Sequence, residues 1–168
     1  MRLLLLLGLA CALTAVTANA APRVAVCKGS QLRGSFSVIR GSAGAGNISY
    51  RLVLTNVSSA QCSLTGLPQG RLLGRTGTPL PTHVIAAFPG ALTAILVRLA
   101  PGAKAHATAR FSPDVPGVGE SIAGKQCERT SWFFRVAARG GGTTKVKVAP
   151  PTPVCEHGQL QFSAYGMS

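Results

Sequence analysis

Apolar and polar side chains alternate along several short stretches of this chain, and the clearest begins at Ile48. Every second residue there is apolar, namely Ile48, Tyr50, Leu52 and Leu54. The residues between them are mostly polar, namely Ser49, Arg51 and Thr55, with Val53 as the exception. This period of two predicts a strand with one face in a core and one face in water. The polar run Asn56–Ser59 predicts a turn at its end.

Shorter alternating or apolar runs predict the other strands. They span residues 32–40, 70–73, 91–99, 103–111, 132–136, 143–148 and 158–164. Pro101-Gly102 separates two of these runs, which predicts an antiparallel hairpin with Ile95, Val97 and Leu99 on the inner face. No segment shows a helical period. Seven to nine short strands separated by turn residues predict an all-β protein, an antiparallel β-sandwich.

The remaining segments are predicted to be turns and loops. Residues 83–90 are expected either to cover a sheet edge or to form an exposed loop, and residues 112–124 form a loop rich in Pro and Gly. The prolines at 150, 151 and 153 predict an extended connection to Cys155. Four aromatic side chains are expected to face the core: Phe111, Trp132, Phe134 and Phe162.

The N-terminus has the pattern of a secretory signal peptide. A basic start at Arg2 precedes an apolar run, and Ala18-Asn19-Ala20 matches a small-residue cleavage site. We therefore expect a signal peptide over residues 1–20, cleavage after Ala20, and one β-sandwich domain over residues 21–168. Lipid attachment at Cys11 is the alternative. No later segment has the length and apolarity to span a membrane.

Cleavage leaves four cysteines, which is typical of two disulfides in an exported chain. Three pairings are compatible with the count. The local pairing, Cys27 with Cys62 and Cys127 with Cys155, is expected because each pair would then bracket hairpin-like material. A metal site built on cysteine is not expected because no CxxC spacing occurs and Cys155 and His157 form the only tight cluster.

The mature chain is strongly basic, with sixteen Lys and Arg residues against four acids once Arg2 is removed. Such a charge favours contact with phosphate-rich wall polymers, acidic lipid headgroups or other polyanions. Seven basic residues fall on the polar faces of predicted strands and form a candidate anion-binding face: Arg51, Arg98, Lys104, Arg110, Arg135, Lys145 and Lys147. The alternative is that these charges are spread over both sheets and only keep the protein soluble. Nucleic acid is disfavoured because the aromatics are expected in the core.

Catalytic patterns are absent from the sequence. The four acids are Asp114, Glu120, Glu128 and Glu156, and neither a GxSxG nor an HExxH motif occurs. A hydrolase would require Asp114 to meet some of the three histidines, His83, His106 and His157. We therefore expect no enzyme activity, no cofactor and no metal.

Several motifs resemble the exported actinobacterial domain-of-unknown-function 4232 family. The specific block is Leu-Thr-Asn-x-Ser-Ser followed by Cys-x-Leu-x-Gly-x-Pro, found here at 54–59 and 62–68. Further marks are Cys27, the turn at 99–105, Cys127, the Pro150-Pro151 pair and Cys155. The resemblance implies an exported, disulfide-bonded, immunoglobulin-like sandwich, and it implies no catalytic residues because the family has no assigned activity. Phe111, where such sequences often have Trp, and the long 112–124 loop depart from the family pattern.

Two functional hypotheses follow from the sequence. The first is an exported, non-enzymatic β-sandwich that associates with the anionic cell envelope through the candidate anion-binding face. The second is a secreted protein-binding module, such as an inhibitor or an adhesin, which presents the 83–90 or the 112–124 loop to its partner.

Overall fold

The computed structural model describes residues 24–90, 95–121 and 127–167. The predicted signal peptide and the lipid-attachment alternative at Cys11 lie outside the described residues. So do residues 91–94 of one predicted strand and residues 122–126 of the predicted 112–124 loop. Within the described ranges, no helix has the length and apolarity required to cross a bilayer.

The described residues form eleven strands, and this confirms the all-β class. The strands are β1 Leu32–Val38, β2 Ile48–Asn56, β3 Cys62–Leu64, β4 Gln69–Leu73, β5 His83–Ala86, β6 Val97–Leu99, β7 Lys104–Phe111, β8 Ser131–Ala137, β9 Thr143–Thr152, β10 Gln159–Phe162 and β11 Gly166–Met167. A 3₁₀ turn at Gly29–Gln31 precedes β1, and a short turn, Cys155–Gly158, in which Glu156 and His157 have left-handed backbone conformations, precedes β10. β3 and β11 were not predicted, because two or three residues are too few to show an alternation.

One large sheet contains most of the strands, in the order β4-β8-β9-β1-β2-β7-β10-β5, with β11 also paired to β7. β3 and β6 form a separate small sheet. Most pairings are antiparallel, but β1 with β9 and β10 with β5 are parallel. The 83–90 segment is thus partly an edge strand, β5, and partly exposed chain beyond it.

The large sheet folds over on itself and encloses an aromatic core. Phe134 on β8 and Phe162 on β10 are separated by four intervening strands, yet their ring centroids lie 5.7 Å apart. Phe36 on β1 contacts both rings, and Tyr50 on β2 packs against Phe36. Contacts between strands so distant in the order require two facing layers, which is the sandwich that the alternation predicted.

The predicted hairpin between residues 91–99 and 103–111 is wrong. β6 pairs with β3 in the small sheet, whereas β7 pairs with β2. The backbone of Asn56 separates the two strands, since its N–H donates to Ala103 O and its carbonyl accepts from Gly102 N. These bonds align β7 with β2, so the chain changes sheets at Pro101-Gly102. Ile95, predicted to be inside, is 57% exposed.

The prediction that Trp132 faces the core is also wrong. The register of β8 against β9 shifts between Ser131 and Phe133, and this irregularity interrupts the alternation at Trp132. The indole is partly exposed, and the Arg75 guanidinium carbon lies 5.3 Å from the ring centroid. The other three aromatics predicted inside, Phe111, Phe134 and Phe162, are buried.

The prolines at 150 and 151 belong to β9, which continues to Thr152, so the extended connection predicted there starts later than expected. The Ala149–Pro150 peptide bond is cis. Tyr50 Oη donates a hydrogen bond to Pro150 O at 2.8 Å, which ties this end of β9 to β2.

Both predicted disulfides are present. Cys27 pairs with Cys62 over 35 residues, and Cys127 pairs with Cys155 over 28 residues. The first joins the lead-in before β1 to β3. The second joins the segment before β8 to the turn before β10. Two disulfides in a chain of this size are typical of an oxidising, extracellular environment.

The buried hydroxyl of Ser131 allows a test of how an unsatisfied polar group affects the stability of this fold. Its Oγ is, in the part of the chain that the structure describes, the one buried side-chain oxygen or nitrogen without a hydrogen-bond partner. We expect Ser131→Ala to raise the free energy of unfolding by about 1 kcal/mol, because the unsatisfied hydroxyl is removed. Urea denaturation measures the change. Ser112→Ala is the control, since that buried hydroxyl bonds both the N–H and the carbonyl of Val115 and its loss should destabilise the protein. Equal losses in both variants would contradict the expectation.

Candidate anion-binding face

Basic side chains lie directly opposite one another on three neighbouring strands. Arg71 on β4 is the register partner of Arg135 on β8, and Arg135 is the partner of Lys145 on β9. All three side chains are exposed. Directly opposed residues lie roughly 5 Å apart in an antiparallel pair, so these charges are immediate neighbours.

The line continues across β1 and β2 to β7. The parallel register of β1 against β9, continued three residues toward the start of β1, places Arg33 beside Lys145. The Thr144 hydroxyl, which donates to Leu32 O at 2.9 Å, and a shallow groove lined by both Arg33 and Lys145 agree with that register. Arg33 then opposes Thr55, and Thr55 opposes Lys104. We call the five exposed residues on this line the basic row: Arg71, Arg135, Lys145, Arg33 and Lys104.

No acid balances the basic row within the described strands. The four acids of the chain all lie between residues 114 and 156, outside the strands that carry the row. The one ion pair among the described residues joins His157 to Glu120. Like charges at directly opposed positions repel and destabilise a sheet. The Lys145 ammonium lies 4.8 Å from the Phe133 ring centroid, a cation–π contact that offsets part of this cost.

The structure places only some of the seven residues of the predicted anion-binding face in the basic row. All seven side chains are exposed, but only Lys104, Arg135 and Lys145 lie in the basic row. Lys147 is two residues from Lys145 on the same face of β9. The others lie elsewhere: Arg51 on β2, Arg110 on β7, and Arg98 on β6 in the small sheet.

Arg33 and Arg71 are members of the row that sequence reasoning missed. Arg71 has an apolar neighbour at Leu72 and a glycine at Gly70, so its short strand shows little alternation. Arg33 precedes a glycine in a strand where only Phe36 and Val38 mark the pattern. Each becomes significant only through the strand order, which local patterns do not encode.

Two aromatic rings on β8 already make cation–π contacts with basic side chains of the protein. Trp132 lies under Arg75, and Phe133 lies under Lys145. The sequence argument against nucleic acid assumes that the aromatic side chains lie in the core. For Trp132 this assumption is wrong. A ring already covered by a guanidinium or an ammonium nevertheless offers less open surface for base stacking.

The acidic residues gather at a different place, in the loop after β7. The Glu120 carboxylate is almost fully buried, with 4% of its side chain exposed. It accepts hydrogen bonds from the backbone N–H groups of Gly117 and Glu156, each at 2.7 Å, and from that of His157. Burial alone would raise the pKa of Glu120, but the three N–H donors and the His157 ring outweigh it and hold the pKa below its ordinary value.

The three histidines lie on separate elements. His83 begins β5 and pairs with Gln159, His106 lies within β7 opposite Gly166, and His157 lies in the turn before β10. The Nδ1 of His157 lies 3.6 Å from Glu120 Oε1.

Comparison with known families gives one match. The model of the Domain of unknown function (DUF4232) matches residues 27–166. The chain belongs to the DUF4232 family. No curated protein and no solved structure matches the chain.

The family match covers the fold and the candidate face together. It begins at the first disulfide cysteine, Cys27, and ends at Gly166 in β11, so both disulfides and the whole basic row lie inside the DUF4232 domain. The family description carries no activity. The function of this DUF4232 protein must therefore be argued from its surface.

Proposed function

We propose that this protein is an exported, non-enzymatic domain that binds anionic polymers of the cell envelope. The observation that supports the proposal is the basic row, in which five exposed cations occupy a line across six neighbouring strands. Cations placed side by side in this way repel one another in the free protein. A ligand that carries a series of negative charges removes that repulsion when it binds.

The shape of the row favours a polymer over a single small anion. Five strand spacings of about 4.8 Å give a line roughly 24 Å long, measured along the sheet. The line follows the outside of a folded-over sheet and is not enclosed by a pocket. Arg and Lys side chains can each contact one phosphate or carboxylate of a repeating chain, and Arg can do so with two hydrogen bonds.

The two disulfides support the location. They are expected to persist only where the environment is oxidising, which is where phosphate-rich wall polymers and the outer lipid headgroups are found. Envelope polymers are therefore the anions that this surface would meet most often.

The test is co-sedimentation of the purified, oxidised protein with isolated bacterial cell walls over a salt series. Arg135→Gln/Lys145→Gln removes two adjacent charges from the centre of the row. A basic residue near an anionic surface contributes about 1 kcal/mol, so the double variant should bind roughly 30-fold more weakly. Binding of the wild type should also fall steeply as salt increases.

The matched control is Arg51→Gln/Arg110→Gln. It removes the same charge from exposed positions on β2 and β7 that lie outside the row. The control should retain most of the wild-type binding. Equal losses of cell-wall binding in the two double variants would show that binding depends on net charge and not on the basic row. Cell-wall binding that does not change with salt would contradict the proposal.

Exposed apolar side chains on the two loops favour a second candidate, a protein-binding module. Phe88 is 69% exposed just after β5, and Val118 is 98% exposed in the loop after β7. The backbone at Val118 is held in place, because its carbonyl accepts a hydrogen bond from His157 Nε2. A partner whose capture resists high salt and is lost in Phe88→Ser or Val118→Ser would favour this candidate over the first.

A further inference from the structure

Three potential metal ligands converge beside the second disulfide. They are Glu120, Glu128 and His157, and their carboxylate oxygens and ring nitrogen lie within 4.8 Å of one another. Glu128 follows Cys127, and His157 is two residues after Cys155. The Cys127–Cys155 bond therefore joins the two backbone segments that carry two of the three side chains.

The orientation of the His157 ring indicates what the cluster can hold. Its Nε2 lies 3.0 Å from the carbonyl oxygen of Val118. A carbonyl only accepts, so Nε2 carries a proton and donates. In the neutral ring the lone pair is then on Nδ1, and Nδ1 faces Glu120 Oε1 at 3.6 Å. A lone pair and a carboxylate oxygen that face each other can be bridged by a proton, as in the ion pair described above, or by a metal ion.

That orientation is the one found around metal-bound histidines. A ligating imidazole usually donates its other N–H to a carbonyl or a carboxylate, which fixes the ring and directs the free nitrogen at the metal. Ligands about 2.1 Å from a tetrahedral zinc ion lie roughly 3.4 Å from one another. The separation of 3.6 Å between Nδ1 and Oε1 is close to that spacing.

Both carboxylates retain the capacity to bind a cation. Glu120 Oε2 accepts two backbone N–H groups, whereas Oε1 accepts one, from His157, and keeps a free lone pair. Glu128 makes no hydrogen bond or ion pair with any other described residue. The His157 side chain is 63% exposed, which leaves room for water as a fourth ligand.

We propose that Glu120, Glu128 and His157 bind a Zn²⁺ ion, with water in the open position. One imidazole nitrogen and two carboxylate oxygens suit zinc better than calcium or magnesium, which prefer oxygen ligands alone. The bound ion would link the loop after β7 to the two backbone segments that the Cys127–Cys155 disulfide joins. Sequence reasoning missed the site because Glu120 and His157 are 37 residues apart and show no regular ligand spacing.

The test is calorimetric titration of Zn²⁺ into the full, oxidised, untagged protein after treatment with a chelator. We expect one ion per chain and a rise in melting temperature with zinc. Loss of a group that only orients a ligand typically costs 10- to 100-fold in metal affinity. Glu128→Gln and His157→Asn each remove a direct ligand and should therefore weaken binding by about 100-fold or more.

These variants avoid the buried carboxylate of Glu120, and asparagine tolerates the positive φ of 56° at His157. Asp114→Asn is the control, since it changes the same charge at an exposed position in the same loop and should bind zinc as the wild type does. Three results would overturn the proposal: no zinc binding by the wild type, equal affinity in Glu128→Gln and the wild type, or tighter binding of Ca²⁺ than of Zn²⁺.

Discussion

Replacement of Asn56 by alanine is expected to lower the free energy of unfolding by about 3–5 kcal/mol. Asn56 is fully buried at the end of β2. Its Nδ2 donates to Ala60 O at 2.8 Å and to Leu99 O at 2.9 Å. Its Oδ1 accepts from the N–H and the hydroxyl of Ser58 at 3.0 and 2.7 Å. Alanine removes all four bonds: Ala60 O keeps the Ser58 hydroxyl as a donor, but the buried Leu99 carbonyl loses its side-chain partner, at a cost of about 1–3 kcal/mol, and the other lost bonds add to this.

Chemical denaturation of the oxidised protein measures this loss. Asn56→Asp should be at least as harmful, because a carboxylate cannot donate and would place a negative charge against two carbonyl oxygens. Asn47→Ala is the control. Its side chain makes one exposed hydrogen bond, to Ala45 O, so its effect should stay within about 0.5 kcal/mol. A change below about 1 kcal/mol in Asn56→Ala would show that the network is not what holds the two sheets together.

The Asn56 network gives a structural reason for the most distinctive string in the sequence. Its bond to Leu99 O reaches β6 in the small sheet, while β2 belongs to the large sheet. Ser58 shapes the turn, and Cys62 follows as the disulfide partner of Cys27. The residues that carry the family resemblance thus join the two sheets, and the candidate binding surface lies elsewhere.

The elements that the sequence predicts correctly are those in which side-chain alternation is long enough to show. β2 and β7 are of this kind, and their inner residues Tyr50, Leu52 and Leu54 lie opposite buried alanines at 109, 107 and 105. Pairing across the fold is not encoded in such local patterns. The turn at Pro101-Gly102 therefore indicated a hairpin, although Asn56 directs the two strands to different sheets.

The same reason explains what could be predicted of the candidate site. Exposure of Arg135 and Lys145 follows from alternation within β8 and β9. Their position between Arg71 and Arg33 follows from the order β4-β8-β9-β1, in which one contact is parallel and spans more than one hundred residues of sequence. Charge and exposure could be predicted from the sequence, whereas the arrangement of the charges in a line required the fold.

Replacement of Glu120 by glutamine is expected to lower the free energy of unfolding by about 3 kcal/mol at neutral pH. The buried carboxylate satisfies three backbone N–H groups, two of which belong to Glu156 and His157. Those two residues have φ values of 55° and 56°, a left-handed conformation that is unfavourable for residues other than glycine and needs support from its surroundings. Glutamine has the same shape, but its NH₂ group would face N–H donors where a carboxylate oxygen now accepts.

The pH dependence separates this role from simple packing. The pKa of Glu120 is lowered in the folded state, so its contribution is fully present above the unfolded-state pKa, about 4.3. That contribution is lost as the pH falls through the lower folded-state value. The gap in stability between the wild type and Glu120→Gln should therefore narrow on acidification below about pH 4.

The measurement is denaturation across pH with a chelator present, so that bound metal does not contribute. Asp114→Asn is the control, because it removes the same charge at an exposed position in the same loop and should open no such gap. A gap that stays constant down to the lowest pH would assign the loss in Glu120→Gln to packing and not to the charged hydrogen bonds.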